Sequence, residues 1–286
     1  MTTSNQPAHV ALCLNSSFLG YFAHAGFLRG LLALGIRPVA VSGASAGALV
    51  AGAFAAGNSP DEMLRLFLSP ELRGVFRELG APWRGLATIF NLPGHTGALR
   101  GARALALLKS HLGGRLIEDC VDPRLALSVT NLAQARTELA TRGPLAEFIL
   151  ASGAFPGFFA VRPVEEGWYW DGGVANALPF DHWLADPGID SIVLHIVANP
   201  GELAVRATGR PRRMSVAVNL SHQIICDELL RLKVELARQS GKRLLILRTV
   251  APRPSLWNPA ATGVSCVELG ANTVEMNKTA LVELAS

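Results

Sequence analysis

Short apolar runs alternate with longer stretches of helical period along the first third of the chain. His9-Val-Ala-Leu-Cys-Leu14 is an apolar run ended by Asn15-Ser-Ser17, the pattern of a buried strand opening into a loop. Residues 22–34 carry apolar side chains at helical spacing and are stopped by Gly35 and Pro38. Val39-Ala-Val41 predicts a second short strand, and good helix formers at 48–56, closed by Gly57, predict the helix behind it. The order strand, helix, strand, helix predicts an α/β domain whose largely parallel sheet is buried on both faces.

Ser59-Pro-Asp-Glu62 is a helix start: an N-cap serine, proline in the first turn and two acids near the positive end of the helix dipole. Residues 81–101 have no clean period and mix Trp83, Phe90, Pro82 and Pro93 with four glycines, which predicts a loop packed on the core or a flap over a site. Further on, the pattern predicts helices at 102–111 and 144–151 and strands at 125–130, 137–140, 168–170 and 191–197. A long helix at 214–239, a strand at 243–249 and a closing helix at 271–284 complete the chain. With no internal repeat and no linker, 1–286 reads as one domain.

Residues 39–57 carry no charge, so the segment reads as a membrane anchor, a small-residue packing helix, or a serine held for chemistry. It has the length of a span, but its Ala, Gly and Ser gain little from lipid. Composition narrows the rest. Half the residues are hydrophobic and 17% are charged, with a net charge of +4, so the chain can bury a sizeable core and carries too little basic excess to argue for nucleic acid. The one basic cluster, Arg206, Arg210, Arg212 and Arg213, reads as a solvated loop, with an anionic surface as its other reading. The first residues lack a positive region followed by a long apolar one, so no secretory signal is read, and cytoplasmic residence is expected. Cys13, Cys120, Cys226 and Cys266 lie far apart without metal-ligand spacing, as free thiols in a reducing compartment would, and no metal or other cofactor is expected.

Gly43-Ala-Ser-Ala-Gly47 fits G-x-S-x-G and sits after a strand and before a helix, the context that gives the motif chemical meaning. A serine on so tight a turn needs Gly43 and Gly47, because bulky neighbours would collide with strand, helix or an incoming acyl group. A helix starting at Ala46 would aim backbone N–H groups at the nucleophile. The same glycines could also serve only to pack a helix on a sheet. Two bases compete for the Ser45 hydroxyl. One is a histidine (His182, His195 or His222) in a triad with an aspartate. The other is an aspartate alone, Asp171, in Trp170-Asp-Gly-Gly-Val174. Only 44 residues precede Ser45, room for two strands and one helix, which disfavours a triad in the α/β-hydrolase order.

Taken together, Gly43-Ala-Ser-Ala-Gly47, Ala151-Ser-Gly-Ala-Phe-Pro-Gly-Phe-Phe159, Asp171-Gly-Gly-Val-Ala-Asn176 with Pro179, and Val129-Thr-Asn-Leu132 resemble the patatin-like phospholipase family from about residue 9 to 197. The resemblance implies a three-layer α/β/α sandwich with a mostly parallel central sheet. It also implies a Ser–Asp dyad, Ser45 as nucleophile and Asp171 as base, with Gly172 and Gly173 completing the motif, acting on acyl esters of lipids without a cofactor. A lipid substrate brings with it transient contact with a membrane surface. Family members usually place a glycine-rich loop with a basic residue after the first strand; this chain has Leu14-Asn-Ser-Ser-Phe-Leu-Gly20 there. Backbone N–H groups of Ser17, Phe18, Leu19 and Ala46 are the expected oxyanion donors, and Phe18, Leu19, Phe22, Phe155, Phe158, Phe159, Trp83 and Phe90 are candidates for an acyl channel or for plain core. Acyl transfer to an alcohol would use the same residues. The altered loop motivates a rival reading, a weak or inactive lipid- or partner-binding protein on the same scaffold.

Overall fold

The computed structural model describes residues 8–200, 214–255, 258 and 260–286; the basic cluster at 206–213 lies outside the described residues. Strand β1 (Val10–Leu14) leads through a loop into helix α1 (Tyr21–Ala33), and β2 (Ala40–Ala44) turns directly into α2 (Ala46–Ala55). The uncharged segment at 39–57 is therefore a strand, a turn and a buried helix. Among the described residues no helix is long and apolar enough to cross a membrane.

Next come α3 (Pro60–Leu68), opened by a Ser59–Glu62 capping box, and α4 (Pro70–Gly74). The 81–101 region, expected as loop or flap, holds a helix, α5 (Ala81–Ile89), and a short strand, β3 (Gly97–Leu99). Helix α6 (Ala102–Leu112), strands β4 (Arg124–Asn131) and β5 (Arg136–Ala140) and helix α7 (Leu145–Ser152) follow, then β6 (Gly157–Phe159), β7 (Arg162–Val164) and β8 (Gly167–Asp171). Helix α8 (Asp181–Leu184), β9 (Ser191–Ala198), the long α9 (Met214–Ser240) and β10 (Arg243–Val250) lead to the end of the chain. The closing helix expected at 271–284 is two helices, α10 (Ala260–Met276) and α11 (Lys278–Ala285), divided at Asn277.

The main sheet runs β10-β9-β1-β2-β4-β8-β7, with β5 also paired to β4. Its first five strands are parallel. Strand β1 is buried on both faces: Val10, Leu12 and Leu14 join one hydrophobic cluster, while Ala11 and Cys13 join the other. The first cluster packs the sheet against α1, α2, α3, α6, α7 and α10, and the second against α8 and α9 through Phe180, Trp183, Leu230 and Ala237. This is the three-layer α/β/α arrangement, with a layer of helices on each face of a mostly parallel sheet. All four cysteines are free thiols.

Strand β4 is what assembles the site. Along one edge it pairs with β2 as far as Ala44 opposite Ser128. Its other edge is taken by β5, so β8 joins antiparallel where β2 ends, starting with Asp171 opposite Val129. The residue after Ala44 and the last residue of β8 are thereby brought together, although 126 positions separate them in sequence.

Candidate active site

Ser45 occupies the turn from β2 into α2 with φ 54° and ψ −117°, a left-handed backbone that a side chain resists. Three contacts hold it there. The Ser45 N–H donates to Ser152 Oγ at 2.9 Å, and Ser152 Oγ donates in turn to the Ser128 carbonyl at 2.6 Å, tying the turn to α7 and β4. The Ser45 hydroxyl donates to Asp171 Oδ2 at 2.7 Å. The motif glycines answer to space. A Cβ on Gly43 would lie 2.3 Å from the Gly47 carbonyl oxygen, and one on Gly47 would lie 2.3 Å from that of Leu14. Similar side chains on Gly172 and Gly173 would meet the Ser128 carbonyl oxygen and Ser16 Oγ, each at 2.0 Å.

Asp171 is 2% exposed. Its Oδ1 accepts the Gly173 N–H at 2.6 Å, so each carboxylate oxygen has one neutral donor. Burial dominates: it pushes the Asp171 pKa up to about 7, with the hydrogen bonds from Ser45 and Gly173 pulling the other way. A carboxylate so raised accepts a proton from a hydroxyl more readily than an ordinary one.

None of the candidate histidines hydrogen-bonds to Ser45 or Asp171. His182 is exposed on α8, and His195 is buried in β9. His222, on α9, lines the same cavity and donates from Nε2 to the Gly173 carbonyl at 2.7 Å, bracing the Asp-Gly-Gly turn. Among the described residues no group of His, Cys, Asp and Glu is arranged to hold a metal ion.

The loop after β1 borders the same cavity as Ser45 and Asp171. Its first two N–H groups are occupied, Asn15 donating to the His195 carbonyl and Ser16 to that of Ala177. Those of Ser17, Phe18 and Leu19 have no acceptor among the described residues. Leu19 takes φ 57°, so this loop makes without glycine a left-handed turn that glycine would make freely. Ala46 begins α2, where an N–H lacks an intrahelical partner.

A buried polar chain supports the loop. The Asn15 side chain accepts the Val197 N–H at 2.9 Å and donates to the Ser16 carbonyl at 2.8 Å. His24 Nε2 donates to the Asn15 carbonyl at 3.1 Å, and its Nδ1 lies 2.9 Å from His195 Nδ1, whose Nε2 lies 2.8 Å from Thr249 Oγ1. Burial holds both imidazoles neutral, His24 down to about 3 and His195 well below its usual value. With both rings neutral the protons run one way: Thr249 donates to His195, His195 to His24 and His24 to the loop. This support does not titrate near neutrality.

The cavity has a volume of about 760 Å³ and is largely apolar. Of the expected channel residues, Phe18, Leu19, Phe155, Phe158 and Phe159 line it. Phe22 does not; it is core, packed on Tyr21 and Phe67. Trp83 and Phe90 are exposed. The sequence offers His222 as a base and Asn15 as part of the loop, whereas the structure gives both supporting roles; Ser152 and His24 are additions made by the structure. Of these last two, only Ser152 carried a signal, standing second in the Ala151-Ser-Gly-Ala-Phe-Pro156 motif.

Fold and site together define an α/β protein with a serine on a strained strand-to-helix turn, bonded to a buried aspartate at the end of a neighbouring strand. The family model for the patatin-like phospholipase matches residues 12–183, and the chain belongs to that family. It is 32% identical over 170 residues to uncharacterized NTE family proteins of Mycobacterium bovis and Mycobacterium tuberculosis. The match covers 59% of this chain and 44% of each relative, so the chain spans less than half the length of those proteins. Its fold is similar to that of VipD from Legionella pneumophila, with TM-score 0.55, 15% identity, and coverage of 98% of this chain and 67% of that one.

Proposed function

We propose that the chain is a single-domain, serine-dependent lipid acyl hydrolase of the phospholipase A, lysophospholipase or esterase type, working through a Ser45–Asp171 dyad. The observation that carries this reading is the 2.7 Å hydrogen bond from the Ser45 hydroxyl to a buried carboxylate within a large apolar cavity. Asp171 takes the hydroxyl proton as Ser45 Oγ attacks the ester carbonyl carbon. The N–H groups of Ser17, Phe18, Leu19 and Ala46 are the donors for the tetrahedral oxyanion. Asp171 returns the proton to the departing alcohol, leaving an acyl-enzyme, and then activates the water that releases the fatty acid.

The raised pKa makes this testable. Asp171 must be ionised to act as base, so kcat/KM for a short-chain ester should climb with pH through about 7 and level off above it. Because His24 and His195 are neutral throughout, the limb belongs to Asp171 and should persist in His222→Gln. A profile already flat from about pH 5 upward would contradict an aspartate base so deeply buried.

The loop offers a second expected outcome. Asn15→Ala removes the side chain that pins the loop to β9 and should lower kcat roughly tenfold to a hundredfold, with KM little changed, because the oxyanion donors act on the transition state. Steady-state kinetics beside a thermal melt check this: equal losses in kcat and folded fraction would mean a structural role alone.

A further inference from the structure

Helix α5 is amphipathic the wrong way round for a soluble protein. The face it lays on β3 and β6 is small or polar: Ala87 is its one buried residue, and Arg84 donates from Nε to the Ala98 carbonyl at 2.8 Å. The outward face is Trp83, Leu86 and Phe90 at i, i+3 and i+7, with Ile89 beside them, and Leu79 and Leu92 flank the helix. Leu79 is 96% exposed, Ile89 77%, Phe90 73% and Trp83 64%. A contiguous apolar surface of this kind on a helix marks a contact site.

The helix is also held rigidly in that pose. Glu78, nearly buried, accepts hydrogen bonds from Arg84 Nη2 at 3.0 Å and from the N–H groups of Arg100 and Gly101 at 2.7 and 2.8 Å. The apolar face thus points outward while the polar anchoring lies inside.

Charge and position say what covers it. From Glu78 to Glu118 the chain has no acid; Arg84 is paired inward with Glu78 and Lys109 with Glu147, while Arg100, Arg103 and Arg115 are exposed cations. A second copy docking by two-fold symmetry would bring this cationic stretch against itself, whereas an anionic lipid layer complements it. The little sheet under α5 also forms the cavity wall, since β6 carries Phe158 and Phe159. Phe18 and Phe155 line the same cavity and are exposed, which puts them at its opening.

We propose that α5 and the flanking segment 79–92 form a docking surface for an anionic phospholipid membrane. Trp83, Leu86, Ile89 and Phe90 enter the interface between headgroups and acyl chains, as interfacial helices do, and the nearby cations meet the phosphates. The biological use of this surface rests on the acyl hydrolase reading, but the docking itself does not.

The test is flotation of the full chain with vesicles of equal parts phosphatidylcholine and phosphatidylglycerol, in a Ser45→Ala background so that no lipid is consumed. Trp83→Ser/Ile89→Ser/Phe90→Ser, at exposed positions that leave the core intact, should lower vesicle partitioning about tenfold or more. Pure phosphatidylcholine vesicles should lower it comparably for the unaltered surface. With Ser45 restored, the triple variant should hydrolyse a water-soluble short-chain ester at the unaltered rate. Equal flotation with and without the three substitutions, or none in either, would overturn the proposal. So would a dimer in sedimentation velocity that the substitutions dissociate while flotation is unchanged, because the face would then belong to a second copy. Absence of ester hydrolysis with flotation behaving as stated would count against the catalytic reading and leave the docking surface standing.

Discussion

Replacing Ser45 by alanine is expected to lower acyl-ester kcat by a factor of about ten thousand or more, with the fold intact. Among the described residues the Ser45 hydroxyl is the cavity group both bonded to the buried Asp171 carboxylate and set at a helix N-terminus, whereas the hydroxyls of Ser16 and Ser17 have no bond to Asp171. What remains is binding and oxyanion stabilisation without covalent chemistry. Alanine keeps the backbone N–H that donates to Ser152, and serine and alanine bear the left-handed turn equally, so the melting temperature should change little. Ester turnover and a thermal melt on the same preparation check both halves. Retention of more than about a tenth of the wild-type rate by a folded variant would mean that another group does the chemistry.

Asp171→Asn is expected to cost about a thousandfold to ten-thousandfold in kcat and to make the protein more stable above neutral pH. The amide has nearly the shape of the carboxylate and still accepts from the Gly173 N–H, but it cannot take the serine proton. The stability change follows from the raised pKa. Folded Asp171 holds its proton up to about 7, whereas in the unfolded chain it loses it near 3.8. Between those values the folded state binds more protons, so wild-type stability falls as pH rises and stays lowered above the folded pKa. Asparagine carries no charge to bury, so the variant should gain on the order of 1–3 kcal/mol at about pH 8 and nothing at about pH 3, where both states of the wild type are protonated. Denaturant titrations at the two pH values, beside turnover, are the measurement. Equal stabilities at both would mean that water reaches the carboxylate and that its pKa is ordinary.

Much of the scaffold was legible in the sequence, because buried parallel strands and the helices between them write their signals locally. The run at 10–14 is continuous and apolar and that at 192–198 is broken only by His195, since both faces of the sheet are covered. Ser45 and Asp171 stood out through small-residue motifs, whose cause is now visible as main-chain atoms within 2.3 Å of any added Cβ on Gly43, Gly47 or Gly172. Other features left no local trace. The His24–His195 contact spans 171 positions, and Ser152, though it stands in a motif, steadies a turn 107 residues away that the motif does not name. Helix α5 escaped because its apolar side faces outward and its inner side is Arg84, Ala87 and Thr88, which inverts the usual sign of the pattern. The expected closing helix begins at 271, whereas α10 begins at Ala260 and its Gly263 and Gly270 let it close on Phe22 and on the Ala23 carbonyl of α1.

The most direct test of the dyad is intact-mass analysis after incubation with a fluorophosphonate lipid analogue, on wild type, Ser45→Ala and Asp171→Asn. The expected result is one adduct on the wild type, none on Ser45→Ala and labelling slowed by orders of magnitude on Asp171→Asn. A folded wild-type protein that takes no adduct, or an adduct that persists in Ser45→Ala, would contradict Ser45 as the activated nucleophile.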